Sequence, residues 1–157
     1  MVASRKHAPN LASMGAPTVT EYNSLIDAIA LRLGYPRDDL LEAEHGSSES
    51  DSGGACITHV HINLIPGFGC KVDLLDGRLP RIEIDRFLAT LSASVAPYIL
   101  LRGAGTARLY DAHGAPSQLI RRALFEELGR GDWDWAVFPQ MEVVKETLRL
   151  WGLESHA

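Results

Sequence analysis

The sequence predicts an α+β domain: an antiparallel sheet with a few flanking helices. Three observations carry that prediction. Two segments, one centred near residue 27 and one near residue 123, place apolar residues at helical spacing. The run Thr58-His59-Val60-His61-Ile62-Asn63-Leu64-Ile65-Pro66-Gly67 alternates polar and apolar residues with the period of a strand. Two strand-like runs also flank Gly103-Ala104-Gly105, the signature of a hairpin. Strands and helices that do not alternate as βαβ units belong to the α+β class. A length of 157 residues corresponds to a single domain, 1–157.

The elements follow in chain order. Val2-Ala3-Ser4 reads as the stub of a strand, and Arg5 to Gly15 as loop. Thr18 and Glu21 are spaced as a capping box, with Thr18 as N-cap, which predicts a helix over Glu21 to Leu33. Leu25, Ile26, Ile29 and Leu33 form its apolar stripe, and Gly34-Tyr35-Pro36 ends it. Leu40 to Glu44 is a short extended piece. His45 to Gly54 is rich in glycine and serine and reads as loop, with 46–54 next to the site. The strand of about Ala55 to Ile65 follows and stops at Pro66-Gly67. Lys71 to Leu75 and Arg81 to Ile84 look weakly extended, and Asp85 to Val95 looks helical. Tyr98 to Arg102 and Ala107 to Tyr110 make the hairpin. Pro116 to Gly129 is a helix whose one side carries Leu119, Ile120, Ala123, Leu124 and Leu128. Trp133-Asp134-Trp135 and a helix from Met141 to Trp151 complete the chain, which has no internal repeat.

Composition narrows the function. An apolar fraction of 46% supports an ordinary core. A net charge of -5 argues against broad binding to nucleic acid or to an anionic membrane, but leaves room for a pocket that takes a phosphorylated small molecule. Cys56 and Cys70 form no C-x-x-C pair and are too few for a disulfide scaffold; they read as reduced, partly buried thiols of a cytoplasmic protein. No apolar run approaches the roughly 20 residues of a membrane helix. Met1 to Met14 is basic without an apolar core, so it does not read as a signal peptide.

The strand at 58–67 holds the candidate chemistry. Alternation puts His59, His61 and Asn63 on one face and Val60, Ile62 and Leu64 on the other. Packing does not require two imidazoles and an amide in line. Three readings are open. In the first, the histidines only satisfy backbone groups. In the second, His59 and His61 ligate a metal, with Glu44 or His45 as third ligand. The metallo-β-lactamase pattern Thr-His-x-His-x-Asp-His overlaps Thr58 to His61, then fails, because Asn63 and Leu64 stand where Asp and His belong. In the third, a histidine is a nucleophile toward a phosphoryl group.

On the third reading the chain resembles the histidine-triad (HIT) superfamily of nucleotide hydrolases and transferases. The family pattern, His-x-His-x-His-x-x with x apolar, is matched by His59-Val60-His61-Ile62-Asn63-Leu64-Ile65, with Asn63 in place of the third histidine. The galactose-1-phosphate uridylyltransferase branch carries glutamine there. Arg5-Lys6-His7-Ala8-Pro9-Asn10-Leu11 looks like the family's Pro-Lys-x-His segment. Glu44-His45-Gly46 and Gly53-Gly54 stand where the family places its phosphate-contacting loop. Gln118, Arg121, Arg122 and Trp133-Asp134-Trp135 look like the carboxy-terminal part of bacterial members, so the likeness spans about residues 2–150.

The resemblance implies a HIT-like antiparallel sheet, a nucleotide or nucleoside-phosphate ligand, a homodimer, and neither cofactor nor metal. It implies His61 as nucleophile, His59 as its orienting neighbour and Asn63 as a hydrogen-bond donor to a phosphate oxygen. A free imidazole, with a pKa of about 6.5, keeps a lone pair for such an attack at pH 7. Asn63 cannot act as an acid, and His7 is the implied substitute. Backbone N–H groups of Gly54, Ala55 and Cys56 would hold phosphate oxygens. The family's Gly-Gln-Ser or Gly-Gln-Thr is here Gly-Ala-Cys, which together with Asn63 sets a catalytically weak nucleotide-binding module beside the enzyme reading. The family's usual first helix and strands are expected to be missing, so that the sheet lacks an edge that oligomerisation would cover. Duller readings stand alongside: Cys56 as a small buried residue, His45 as a loop residue, His7 as a flexible terminal residue, Arg121 and Arg122 as solvated, Trp133 and Trp135 as packing anchors, and His113 and His156 as loop and tail residues.

Overall fold

The protein was described from a computed structural model, in which residues 2–3, 8–14, 16–47, 60–83 and 97–150 are described. The predicted helix at 85–95, and the site residues His7, Gly54, Ala55, Cys56 and His59, lie outside them. The chain divides into two compact units, Met1–Ile120 and Arg121–Ala157.

The first unit is built on an antiparallel sheet of six strands: β1 (Val2–Ala3), β2 (Leu40–Gly46), β3 (His61–Pro66), β4 (Arg81–Ile82), β5 (Tyr98–Gly103) and β6 (Thr106–Asp111), in the order β1-β3-β2-β5-β6-β4. The α+β class read from the sequence is therefore correct. The two central strands, β2 and β5, pair Glu44 with Leu100 and His45 with Ile99. On its other side β2 pairs Glu44 with Ile62 and Ala43 with Asn63 of β3.

Helix α1 (Ala16–Leu33) covers one face of this sheet. Its Tyr22 and Ile26 pack with Val60 and Ile62, and with Ala8 and Leu11 from the segment before the helix. The helix begins earlier than its capping-box signal. Thr18 lies within the first turn and is not the N-cap, because Ala16-Pro17 already starts the helix and proline, with no N–H to satisfy, suits a first turn. The C-terminus is as read: Gly34 takes φ +72°, its N–H bonds to the Leu31 carbonyl and Tyr35 N–H bonds to that of Ala30, a Schellman closure.

Three further boundaries differ from the sequence reading. Strand β2 runs on through His45 and Gly46. Gly46 looked like the start of a loop, but it is in the strand because the Tyr98 ring lies over it; a Cβ there would sit 2.3 Å from a ring carbon. Lys71 to Leu75 is not extended. It forms consecutive turns, with Leu74 N–H on the Lys71 carbonyl, and buries Val72 and Leu75 at a spacing of three. This segment packs on the face opposite α1, where the Tyr110 hydroxyl bonds to the Val72 carbonyl at 3.0 Å. The hairpin turn is two residues, Ala104 and Gly105, both at positive φ as a type I′ turn demands, and Gly103 pairs within the sheet.

The second unit holds most of α2 (Leu119–Glu127) and all of α3 (Met141–Leu150). The α2 helix starts three residues after Pro116, following Gln118 at φ +62°. Leu128, assigned to its apolar side, is exposed. No helix among the described residues is long and apolar enough to cross a membrane.

Candidate functional site

Strand β3 is where alternation becomes geometry. Val60 and Ile62 are buried in the cluster under α1, with Leu64 packed against it. His61 and Asn63 therefore face the other side of the sheet, His61 buried and Asn63 half-buried. The chain before α1 bonds to Ser47, just after β2, and to Val60, just before β3. Val60 N–H bonds to the Ala8 carbonyl at 2.7 Å, while Ser47 N–H and Oγ both bond to the Pro9 carbonyl. Asn10 Nδ2 donates to the Ser47 carbonyl, and Asn10 Oδ1 accepts Ser13 N–H, capping the short turn Leu11–Met14. Ala8, Pro9 and Asn10 are thus bonded beside the start of β3.

On the neighbouring strand, His45 shares the face of His61. The two rings stack with centroids 6.1 Å apart and planes inclined by 27°. Burial lowers the His45 pKa to about 4, with the adjacent His61 adding to the effect, so this imidazole is neutral at pH 7. Its Nδ1 has no hydrogen-bond partner among the described residues. The loop reading of His45 is corrected: it is a central-strand residue against the candidate nucleophile. Leu41, Ala43 and His45 continue one alternating face, which was the available signal; Gly46 masked it.

Glu44 points the opposite way. Its Oε1 accepts the Leu11 N–H at 2.7 Å and the Tyr98 hydroxyl at 2.8 Å, under α1. The expectation that Glu44 completes a ligand set with the histidines is therefore overturned, because adjacent strand residues face opposite sides. Among the described residues no group of three or more His, Cys, Asp or Glu side chains is arranged to hold a metal ion. Glu42 lies on the Glu44 side. It is buried and bonded to Arg37, to Arg102 and to the Tyr22 hydroxyl. Burial, together with the Glu42 charge, holds the Tyr22 hydroxyl far above its ordinary range, so it remains a donor. An apolar cavity of about 180 Å³, lined by Leu11, Met14, Tyr22, Leu25, Val60 and Ile62, is also on the α1 side and therefore across the sheet from the histidines.

In the second unit, Arg121 Nε donates to the Trp133 carbonyl and its guanidinium lies 4.7 Å from the Phe125 ring. Arg122 pairs with Glu126 and lies 5.3 Å from the Trp133 ring. Both arginines are thus engaged locally. Trp133 is half-buried, while Trp135 is exposed. Cys70 is a free, exposed thiol, not a partly buried one.

The fold and site define an α+β protein with two imidazoles stacked across the adjacent strands β2 and β3, on the sheet face away from the long helix. No family model matches the chain, and no curated protein or solved structure matches it either.

Proposed function

We propose that this chain is a HIT-like protein that binds nucleoside phosphates and acts at the α-phosphorus through His61. The observation that carries the reading is the placement of His61, with Asn63 beyond it, on the sheet face away from α1 and next to a second imidazole. The antiparallel sheet, and the pairing of Ala8 with Val60 just before His61, support it further. In the first step an imidazole nitrogen lone pair of His61 forms an N–P bond, and the leaving group departs with the electron pair of its bond to phosphorus, taking a proton from solvent. Water or another acceptor then forms an O–P bond, the N–P bond breaks and the acceptor's proton is released. In this reading the ligand contacts include His59, His7 and the backbone of Gly54, Ala55 and Cys56; the protein works in the cytoplasm as a homodimer.

A second reading rests on Asn63. An amide at the third place cannot protonate a leaving group, which favours a module that binds nucleotide without turning it over.

The test is intact-mass spectrometry after brief exposure to a nucleoside phosphoramidate or a dinucleoside polyphosphate, held near neutral pH to protect an acid-labile N–P bond. The native chain gains one nucleotidyl mass and His61→Asn gains none. A folded native chain with neither adduct nor turnover, but with a melting temperature raised by nucleotide, moves the assignment to the binding module.

A further inference from the structure

His45 stands where packing alone would place an aliphatic side chain. It is on β2, between β3 and β5, buried, with Ile99 opposite it on one side and His61 stacked on the other. A polar ring in such a place lowers stability unless its nitrogens find partners, and buried polar groups in native proteins nearly always do. Among the described residues the Nδ1 of His45 has none. A group that is costly in the unliganded protein, enclosed, and in ring contact with the candidate nucleophile has the properties of a binding group whose partner arrives with the ligand.

We propose that His45 is a ligand-contacting residue of the phosphate site, with Nδ1–H donating a hydrogen bond to an oxygen of the bound phosphoryl group. This rests on the reading of the chain as a nucleoside-phosphate binder and adds to it a second imidazole from the neighbouring strand. The two rings divide the work: His61 supplies the lone pair that attacks, and His45 supplies a donor that orients the group under attack. With its pKa held near 4 by burial, His45 contributes a hydrogen bond and not a charge. It therefore adds direction without adding a cation beside His61.

The alternative is that His45 only packs against His61. His45→Phe separates the two, because it keeps an aromatic ring of similar size and removes both nitrogens. If His45 contacts ligand, the unliganded variant melts at least as high as the native chain, since an unpartnered polar atom is gone. Its affinity for adenosine or guanosine monophosphate, measured by calorimetry, falls at least about tenfold, the loss of a hydrogen bond to a charged oxygen. His45→Asn, whose amide nitrogen can sit near the Nδ1 position, recovers most of that affinity although it abolishes the stack. If the native chain binds and His45→Phe binds equally well, His45 is a packing residue and this inference is overturned while the parent reading stands. If the native chain binds neither nucleotide, the parent reading fails and this one with it. Should His45→Phe not fold, His45→Leu replaces it in the comparison, and equal affinities for His45→Leu and His45→Asn overturn the proposal.

Discussion

Glu44→Gln is expected to stabilise the protein, and to do so only above acidic pH. The carboxyl is 3% exposed beneath α1. Burial is the leading influence on it and raises its pKa; the Leu11 N–H, the Tyr98 hydroxyl and the Arg102 charge oppose that rise without overcoming it. Removing a carboxylate from water costs several kcal/mol even after relaxation. Two hydrogen bonds to an ionised oxygen return about 1 kcal/mol each more than bonds to a neutral one. The hydrogen bonds do not make up that cost, so the ionised form is disfavoured. Both bonds end on Oε1, so a glutamine places its amide oxygen where both donors already point. The NH₂ then takes the place of Oε2, and no charge is buried.

The sign follows from linkage. A carboxyl whose folded pKa exceeds its unfolded value contributes stability that is fully present below the unfolded value and is lost as pH rises through the folded value. Native protein and Glu44→Gln should therefore be about equally stable near pH 4, where the unfolded carboxyl is itself protonating. The variant gains about 1–2 kcal/mol by pH 8. Urea denaturation at a series of pH values, with linear extrapolation to water, measures the difference. Parallel pH profiles for the two proteins would refute the reasoning, since a constant offset means that Glu44 does not carry a raised pKa.

Two further substitutions test the packing that sets the site. Gly46→Ala drives a methyl group to 2.3 Å from the Tyr98 ring, which its hydroxyl pins to Glu44; a destabilisation of about 1–3 kcal/mol is expected, read as a lower midpoint in urea, and an unchanged midpoint would show that Tyr98 moves freely. Arg102→Met keeps the side-chain stem but takes one guanidinium from Glu42, 3% exposed, leaving Arg37 and the Tyr22 hydroxyl; a loss of about 2–3 kcal/mol is expected at pH 7, and a neutral or stabilising result would mean that Arg37 alone compensates the charge.

The sequence by itself determined the local features. Helical spacing around Ile26 marked α1, Gly34 marked its end through a left-handed φ that few other residues adopt, and Gly103-Ala104-Gly105 marked a hairpin to within one residue. Period-two alternation assigned His61 and Asn63 to the face opposite Ile62. These rest on backbone sterics and on contacts between residues close in the chain, so their signals are local. What alternation could not say is which residues lie across from that face. Only pairing between β2 and β3 brought His45 beside His61 and turned Glu44 away, and only the ring of Tyr98, 52 residues further along the chain, explains a glycine inside a strand. Likewise Glu42 reads as one more acidic residue until β5 and the turn before β2 surround it with Arg102 and Arg37. Partners that lie tens of residues apart are chosen by the free energy of burying whole faces together, and no short window of sequence carries that term.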